Sequence, residues 1–344
     1  MVGANIFCLR RYNYLRYIAA PFVVVAIICS NDLVGSTKKT QTSSAFSSTS
    51  EIGEEGDTWS RIRDFMRSHE CTSAYIDVGS NIGVQIRKLY EPQKYNGFDP
   101  KMKDLAKRFG LLEEPTEGEL ELGLVKGQAF WNTTSAVLPI FDEYFGAAPR
   151  CGVCAIGVEP NPKHTSRLND LQASLRAAGA PVLWLHQTAA DIADGFTTLN
   201  VNAGGGMDIN DVGMTVKAVA GGTFSRPKEG NEVVVATIDL SRLIWTVRGE
   251  LKGNIADGEA KVVMKLDIEG AEYRVVPHLL NRDALCALDL VFLEWHETDI
   301  RAEERKSLVT RIAGALERCD TVVSPIDDET FLHDGKDFPT ASVC

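Results

Sequence analysis

The sequence predicts an α/β fold in which a doubly wound, mostly parallel sheet is covered by helices on both faces. Runs of strand length that are apolar throughout occur at 74–78, 153–158, 182–185, 262–266 and 288–293. Helical patterns lie between or after them at 163–178, 239–248, 271–280 and 301–317. Apolar strands separated by helices are typical of parallel sheets with two covered faces. Ligands bind such sheets beyond the carboxyl ends of the strands, so functional residues are expected there.

Composition sets limits on what the protein does. The 344 residues are 44% hydrophobic and 24% charged, with a mean hydropathy of −0.09. These values indicate a globular protein and exclude a polytopic membrane protein or a wholly disordered chain. The net charge is −11, and it becomes −14 when the three arginines of residues 1–31 are set aside. Such an acidic surface repels phosphate backbones, so we expect no nucleic-acid partner.

The N-terminus predicts entry into the secretory pathway. Arg10, Arg11 and Arg16 precede a charge-free, apolar stretch at 17–31. We interpret 1–16 as a cytosolic tail and 17–34 as a single-pass signal anchor, with a cleaved signal peptide as the alternative. Basic residues before the apolar segment place the remainder in the lumen. The expected location is the Golgi or ER membrane with a luminal domain, and secretion or a plastid are the alternatives.

A Ser/Thr-rich and acidic stem is predicted at 35–58, because ten of residues 36–50 are Ser or Thr and few are apolar. The folded domain is predicted at 59–344, beginning with an amphipathic pattern at Trp59, Ile62, Phe65 and Met66. One glycosylation sequon begins at Asn132.

The domain contains six cysteines in addition to Cys8 and Cys29 of the N-terminal region. Cys151 and Cys154 form a CxxC pair, but no second pair at zinc-ligand spacing accompanies it. Structural disulfides are therefore the favoured interpretation for an oxidising lumen, with the pairing left open.

Two predicted strands end in small and polar residues. The first ends in DVGSNIG, whose G-x-x-x-G spacing matches neither a dinucleotide fingerprint nor a P-loop. The second ends in VEPNP, which places Glu159 where a carboxylate can accept hydrogen bonds from ribose hydroxyls. Each has a plainer alternative, since Gly79 and Gly83 can serve a tight turn and Asp77 or Glu159 can cap a helix.

A third strand end carries the segment KLDIEGAE at 265–272. Together with DVGSNIG and VEPNP it resembles the FkbM family of S-adenosylmethionine-dependent methyltransferases. The segments ATIDL at 236–240 and LEWH at 293–296 resemble two further motifs of that family, so the resemblance covers roughly residues 75–297. The departure is an insertion at 84–152, because Gly83 and Glu159 are 76 positions apart, much further than in the family. Its aromatic residues predict a packed subdomain, a substrate-facing lid or a surface cover: Phe98, Phe130, Trp131, Phe141, Tyr144 and Phe145.

The resemblance implies a Rossmann-like methyltransferase fold, S-adenosylmethionine as cofactor and transfer of a methyl group to a hydroxyl. The cofactor-binding residues it implies are Asp77, Gly79, Asn81, Gly83 and Glu159. Removal of the hydroxyl proton needs a base. Asp267 is the first candidate for base or substrate orienter, followed by Glu269 and His296.

Several alternatives stay open at the third strand end. Asp267, Glu269 and His296 can also ligate a divalent metal, although no metal site is predicted. Glu272 is better interpreted as a helix cap than as a catalyst, and the same holds for Asp239.

The expected function is O-methylation of a glycan or another hydroxylated small molecule in the secretory lumen. A binding or regulatory protein that kept the fold without turnover is the second interpretation. A nicotinamide-linked oxidoreductase is the third, and the glycine spacing disfavours it. The acceptor and the oligomeric state do not follow from the sequence.

Overall fold

The computed structural model describes residues 55–95, 135–201, 214–216, 232–252, 260–296, 302–324, 338–339 and 341–344. The predicted tail, anchor and most of the stem lie outside these residues, as does the sequon at Asn132. Among the described helices, none combines the length and apolar character that a membrane crossing requires.

Ten strands are described, and six of them form one parallel sheet. The strands are β1 (Ser73–Val78), β2 (Val153–Glu159), β3 (Val182–His186), β4 (Thr188–Asp191), β5 (Gly195–Val201), β6 (Met214–Val216), β7 (Glu232–Asp239), β8 (Val262–Leu266), β9 (Leu290–Leu293) and β10 (Val322–Ser324). The parallel sheet has the order β10-β9-β8-β1-β2-β3. All five strands predicted from apolar runs belong to this sheet, which confirms the α/β class and its parallel sheet.

Seven α-helices are described. They are α1 (Glu55–Ser68), α2 (Val84–Tyr90), α3 (Leu138–Phe145), α4 (Thr165–Ala177), α5 (Leu240–Glu250), α6 (Glu272–Asn281) and α7 (Ala302–Leu316). The four helices predicted between or after the strands are α4 to α7, each within a few residues of its predicted ends. Helix α1 begins at Glu55, inside the segment predicted as stem.

The core consists of two layers, one on each face of the parallel sheet. Successive strand residues point to opposite faces. Ile76 and Ile156 accordingly pack with buried side chains of α1, α5 and α6. Tyr75 and Ala155 pack with buried side chains of α2, α3 and α4. Because helices cover both faces of the sheet, successive residues of a strand are all buried. This explains why the strands appear in the sequence as continuous apolar runs.

A second sheet was not predicted. It has the order β4-β7-β5-β6, with β4 and β7 parallel and β5 antiparallel to both β7 and β6. β4 is buried throughout, whereas β7 has exposed and half-buried positions, and Phe196 and Val234 are exposed. In β4, β5 and β6 apolar residues are mixed with Thr, Asn, Gly or Asp, and the continuous apolar run of this sheet is 233–236 in β7.

The predicted insertion contributes α2 and α3 to one face of the parallel sheet. The ring of Phe141 in α3 lies 5.1 Å from that of Tyr75 and 6.4 Å from that of Phe292. The described part of the insertion thus packs on the sheet, together with Tyr144 and Phe145. Phe98, Phe130 and Trp131 lie outside the described residues.

Two disulfides cross-link the domain, Cys71–Cys154 and Cys286–Cys319. Cys71 follows α1 and Cys154 lies in β2, so the first bridge joins a helix end to the central sheet. Cys151 and Cys344 are present as free thiols.

Candidate functional site at the carboxyl edge of the parallel sheet

Strand alternation places the polar strand residues on one face of the sheet. Tyr75 and Val263 pack with α2, α3 and α4. Asp77 and Lys265 lie two positions further along the same strands and so point to that face. The two residues are paired in register across β1 and β8. The sequence thus brings a carboxylate and an ammonium group together where the two strands end.

The turn after β1 packs closely against the end of β8. Gly79 has φ of +87°, and a Cβ atom there would collide with the backbone carbonyl of Asp267. The Asp267 amide donates to the carbonyl of Val78 at 3.0 Å. Gly83 also has φ of +87°, and a Cβ atom there would lie 2.7 Å from the Leu171 side chain. Both glycines are therefore required by the packing of the chain itself.

Glu159 joins the ends of β1 and β2. Its side chain is 5% exposed, and its two oxygens accept hydrogen bonds from the backbone amides of Asn81 at 2.6 Å and Asn161 at 2.8 Å. The carboxylate thus holds the first loop at the β2 end. Nδ1 of His164 lies 3.3 Å from Oε1, so the second lone pair of Oε2 is the acceptor capacity left at this rim.

Several buried polar atoms at this edge have no hydrogen-bond partner within the described part of the chain. They include both carboxylate oxygens of Asp77, Oδ1 of Asn81, Nε1 of Trp184 and both ring nitrogens of His186. Burial raises the pKa of Asp77 to about 6, against the opposing effects of Lys265 and Ser80. Buried polar atoms without partners are uncommon in folded proteins. Their concentration at the ends of β1 and β3 is typical of a site that receives a polar ligand.

The ends of β8 and β9 are, by contrast, densely paired. The Lys265 ammonium, which is 7% exposed, contacts the Asp267 carboxylate and lies 3.8 Å from Oε2 of Glu294. Burial acts to lower the pKa of Lys265, but the carboxylates of Asp267, Glu294 and Asp77 raise it well above its ordinary value. Lys265 therefore stays charged and neutralises part of the cluster.

His296 occupies the centre of this cluster. Its Nε2 lies 3.6 Å from Oδ1 of Asp267, 3.4 Å from Oε2 of Glu269 and 3.7 Å from Oε1 of Glu294. Its Nδ1 lies 3.1 Å from Oε1 of Glu272. Burial opposes the charged imidazolium, but the hydrogen bond to Glu272 and the nearby Glu269 and Asp267 carboxylates raise the pKa of His296 to about 9.

Glu272 explains the orientation of His296. The carboxylate is fully buried and accepts hydrogen bonds from the backbone amides of Ile268 and Gly270, both at 2.9 Å. It thereby holds the turn before α6, in which Glu269 has φ of +54° and Gly270 φ of +98°. The interpretation as a cap of the turn accounts for these bonds. The contact with Nδ1 adds a second role, because it directs Nε2 toward the other carboxylates.

Three of these side chains have the spacing of metal ligands. One ligand atom from each of Asp267, Glu294 and His296 lies within 4.8 Å of the other two. The sequence suggested Asp267, Glu269 and His296 as possible metal ligands. In the structure, Glu294 takes the place of Glu269 in this set. Lys265 contacts Asp267 and approaches Glu294, so an ammonium group already supplies positive charge to the carboxylates that a cation would share.

Sequence reasoning did not assign roles to Lys265 and Glu294, and it assigned Glu272 only a capping role. The signal was present, since all three occur inside the KLDIEGAE and LEWH segments. Asp239 is the N-cap of α5, because its Oδ1 accepts from the Arg242 amide at 3.2 Å. The same oxygen lies 3.0 Å from Nε2 of His278.

No family model, curated protein or solved structure matches the chain. The class of protein is therefore defined by the fold and the site. It is an α/β protein with a Rossmann-like parallel sheet, whose carboxyl edge carries unpartnered polar atoms at the ends of β1 and β3 and a carboxylate–imidazole–ammonium cluster at the ends of β8 and β9.

Proposed function

We propose that the protein is an S-adenosylmethionine-dependent O-methyltransferase. The observation that supports this most directly is the convergence of the three motif segments on one loop. Glu159 binds the amide of Asn81 in that loop, and the loop's Gly79 packs against Asp267. The predicted cofactor-binding residues and the predicted acid–base residues are therefore neighbours, as methyl transfer requires.

The residues present fit the proposed cofactor. Asn81 and Glu159 would hold its polar parts, because Asn81 Oδ1 is unpartnered and Glu159 retains acceptor capacity at the rim. The carboxylate of Asp77 would act from beneath as a buried negative charge near a cationic group. When bound, S-adenosylmethionine supplies an electrophilic methyl group on a sulfonium ion.

The cluster at β8 and β9 supplies the acid–base chemistry of the acceptor hydroxyl. We assign the base to Nε2 of His296, since Glu272 holds the Nδ1 proton and leaves Nε2 facing the cluster. Asp267 is tied to Lys265, so its role is to accept a hydrogen bond from the hydroxyl and orient it. Positive charge brought near the cluster favours the neutral imidazole, which is the form that accepts a proton.

Binding and transfer are tested separately on the full chain. Calorimetry with S-adenosylmethionine against NAD tests the cofactor class, and binding of NAD alone would contradict the proposal. A radiolabelled methyl-transfer assay over glycans and hydroxylated small molecules tests the reaction. Binding of S-adenosylmethionine without transfer to any acceptor would favour a binding or regulatory protein.

Asp267→Asn tests whether Asp267 acts on the acceptor hydroxyl and not on the cofactor. The variant keeps the shape of the side chain, and we expect it to bind S-adenosylmethionine normally while transferring methyl groups about tenfold to a hundredfold more slowly. Normal transfer would contradict any role of Asp267 toward the acceptor. A joint loss of cofactor affinity and thermal stability would indicate a structural carboxylate instead.

The proposed location is the lumen of the secretory pathway, with a membrane anchor at 17–34 and a glycan or another hydroxylated molecule as acceptor. The basic residues before the apolar stretch and the two disulfides support it. Protease added to sealed microsomes is expected to leave residues 55–344 intact. Digestion of the domain in sealed vesicles would contradict the luminal location.

A further inference from the structure

The last residues of the chain are fixed against the end of α4. The backbone amides of Val343 and Cys344 donate to the carbonyl of Ala178 at 2.9 and 3.2 Å, and the Ser342 hydroxyl donates to the same carbonyl at 3.4 Å. The Cβ atom of Cys344 lies 3.0 Å from the position that a Cβ atom on Gly179 would occupy. Cys344 is therefore held in a defined place.

The thiol of Cys344 meets the thiol of Cys151, which precedes β2. The two side chains interact, and burial together with this interaction raises the pKa of Cys344 to about 12. Both thiols interact with Tyr90, whose hydroxyl donates to the carbonyls of Val153 at 2.6 Å and Pro181 at 2.9 Å. Tyr90 thus holds the start of β2 beside the start of β3, and the two cysteines lie together at this junction.

We propose that Cys151 and Cys344 form a third disulfide, which fastens the C-terminal segment 338–344 to the sheet. The bridge would leave no unpaired cysteine in residues 55–344. The contact between the two side chains places them beside each other, as a bridge requires. The proposal does not depend on the proposed methyltransferase activity.

Formation of the bridge requires a disulfide oxidant, such as an oxidised thiol–disulfide oxidoreductase or glutathione disulfide. The thiolate of Cys151 attacks one sulfur of the oxidant, and the other sulfur leaves as a thiol after taking up a proton. Cys344, which burial and the contact with Cys151 keep protonated, loses its proton and displaces the remaining oxidant thiol. The two cysteines lose two electrons and two protons in total, and the oxidant becomes two thiols.

The bridge would support the loop after β1 through the C-terminal segment. The Phe338 ring lies 5.5 Å from the guanidinium of Arg167 and 5.8 Å from that of Arg87. Arg167 in turn donates from Nε to the carbonyl of Ile82 at 3.1 Å. Residues of the segment that the bridge anchors therefore contact an arginine that holds the loop of Gly79, Asn81 and Gly83.

The experiment is peptide mapping of the full chain after equilibration in a glutathione disulfide buffer. The protein is denatured without reductant, its thiols are alkylated, and its peptides are identified by mass spectrometry. We expect a Cys151–Cys344 cross-linked peptide alongside the Cys71–Cys154 peptide, which serves as the internal control for oxidation. Quantitative alkylation of Cys151 and Cys344 in chains whose Cys71–Cys154 bridge is closed would overturn the proposal.

A matched variant checks the assignment and its consequence. In Cys344→Ser, we expect Cys151 to become fully alkylated while both other bridges persist. Amide hydrogen exchange at 341–344 should also become at least about tenfold faster than in the oxidised parent. If Cys151 stays protected in this variant, its partner is another group and the proposal is wrong.

Discussion

Two pairs of strand ends at the carboxyl edge of the parallel sheet differ in how their polar side chains are paired. At β1 and β3, Asp77, Trp184 and His186 carry buried side-chain polar atoms without hydrogen-bond partners in the described chain. At β8 and β9, Lys265 and His296 each contact several carboxylates. Under the proposed function, we interpret the unpartnered groups at β1 and β3 as the cofactor side and the paired charges at β8 and β9 as the acid–base side.

The largest effect is expected when the imidazole of His296 is removed. His296→Asn deletes the proposed base at the centre of the paired side, so we expect methyl transfer to fall about 10²- to 10⁴-fold. Affinity for S-adenosylmethionine should stay within about twofold of the parent, because the unpartnered side is unchanged. Single-turnover transfer rates and calorimetry measure the two quantities.

His69→Asn is the matched control, since His69 is exposed at the end of α1. It should leave both quantities unchanged. Normal transfer in His296→Asn would remove His296 from the mechanism and leave Asp267 or Glu269 as the base.

The pH dependence of methyl transfer also tests whether His296 is the base. The pKa of His296 is raised to about 9 in the free chain, so the imidazole is mostly protonated at pH 7. A base must be neutral, and kcat/KM should therefore rise with pH, by about fiftyfold between pH 7 and 9, and level off above about pH 10. The interactions that raise this pKa also stabilise the fold below about pH 6.5, and that contribution is lost as the pH rises through about 9.

The profile should be the same with and without EDTA, because Lys265 already contacts the carboxylates that a metal would use. A profile that is flat from pH 7 to 9 would contradict a base with this pKa. Loss of activity on chelation would instead favour a metal at Asp267, Glu294 and His296.

The positions of the functional strand ends could be predicted from the sequence, but some contacts between them could not. Strand ends were predictable because Asp77, Glu159 and Asp267 interrupt or follow apolar runs, and charges in such positions are costly unless used. The contacts of Glu272 and Glu294 with His296 were not predictable, because they depend on how the turn before α6 brings a buried carboxylate to a histidine that follows β9. The second sheet was missed, although 233–236 is an apolar run, because β4, β5 and β6 mix apolar residues with Thr, Asn, Gly and Asp.

The next prediction concerns the unpartnered side. Asp77 is fully buried with a pKa raised to about 6, so the folded state holds a proton that the unfolded state has lost between about pH 4 and 6. Stability contributed by the protonated form is present below about pH 4 and is lost as the pH rises through 6. Asp77→Asn should therefore stabilise the chain at pH 8 by about 3 kcal/mol, and by nothing measurable at pH 4.

Urea denaturation at the two pH values measures the change. Asp170→Asn is the control, because Asp170 is exposed in α4. Equal destabilisation by Asp77→Asn at both pH values would mean that the carboxylate is paired in the protein, and the contrast between the two sides would fail.

The smallest effect is expected at Glu159. This residue holds the Asn81 and Asn161 amides and is also predicted to bind the ribose of the cofactor. Glu159→Gln keeps the volume of the side chain but removes the charge that faces the Asn81 and Asn161 amides. We expect cofactor binding to weaken by about 1 kcal/mol, the lower end of the range for charge-assisted hydrogen bonds. Glu143→Gln, at an exposed position of α3, should change nothing. A lower melting temperature with unchanged cofactor affinity would show that Glu159 only clamps the two loops, and the ribose-binding role would then have to be given up.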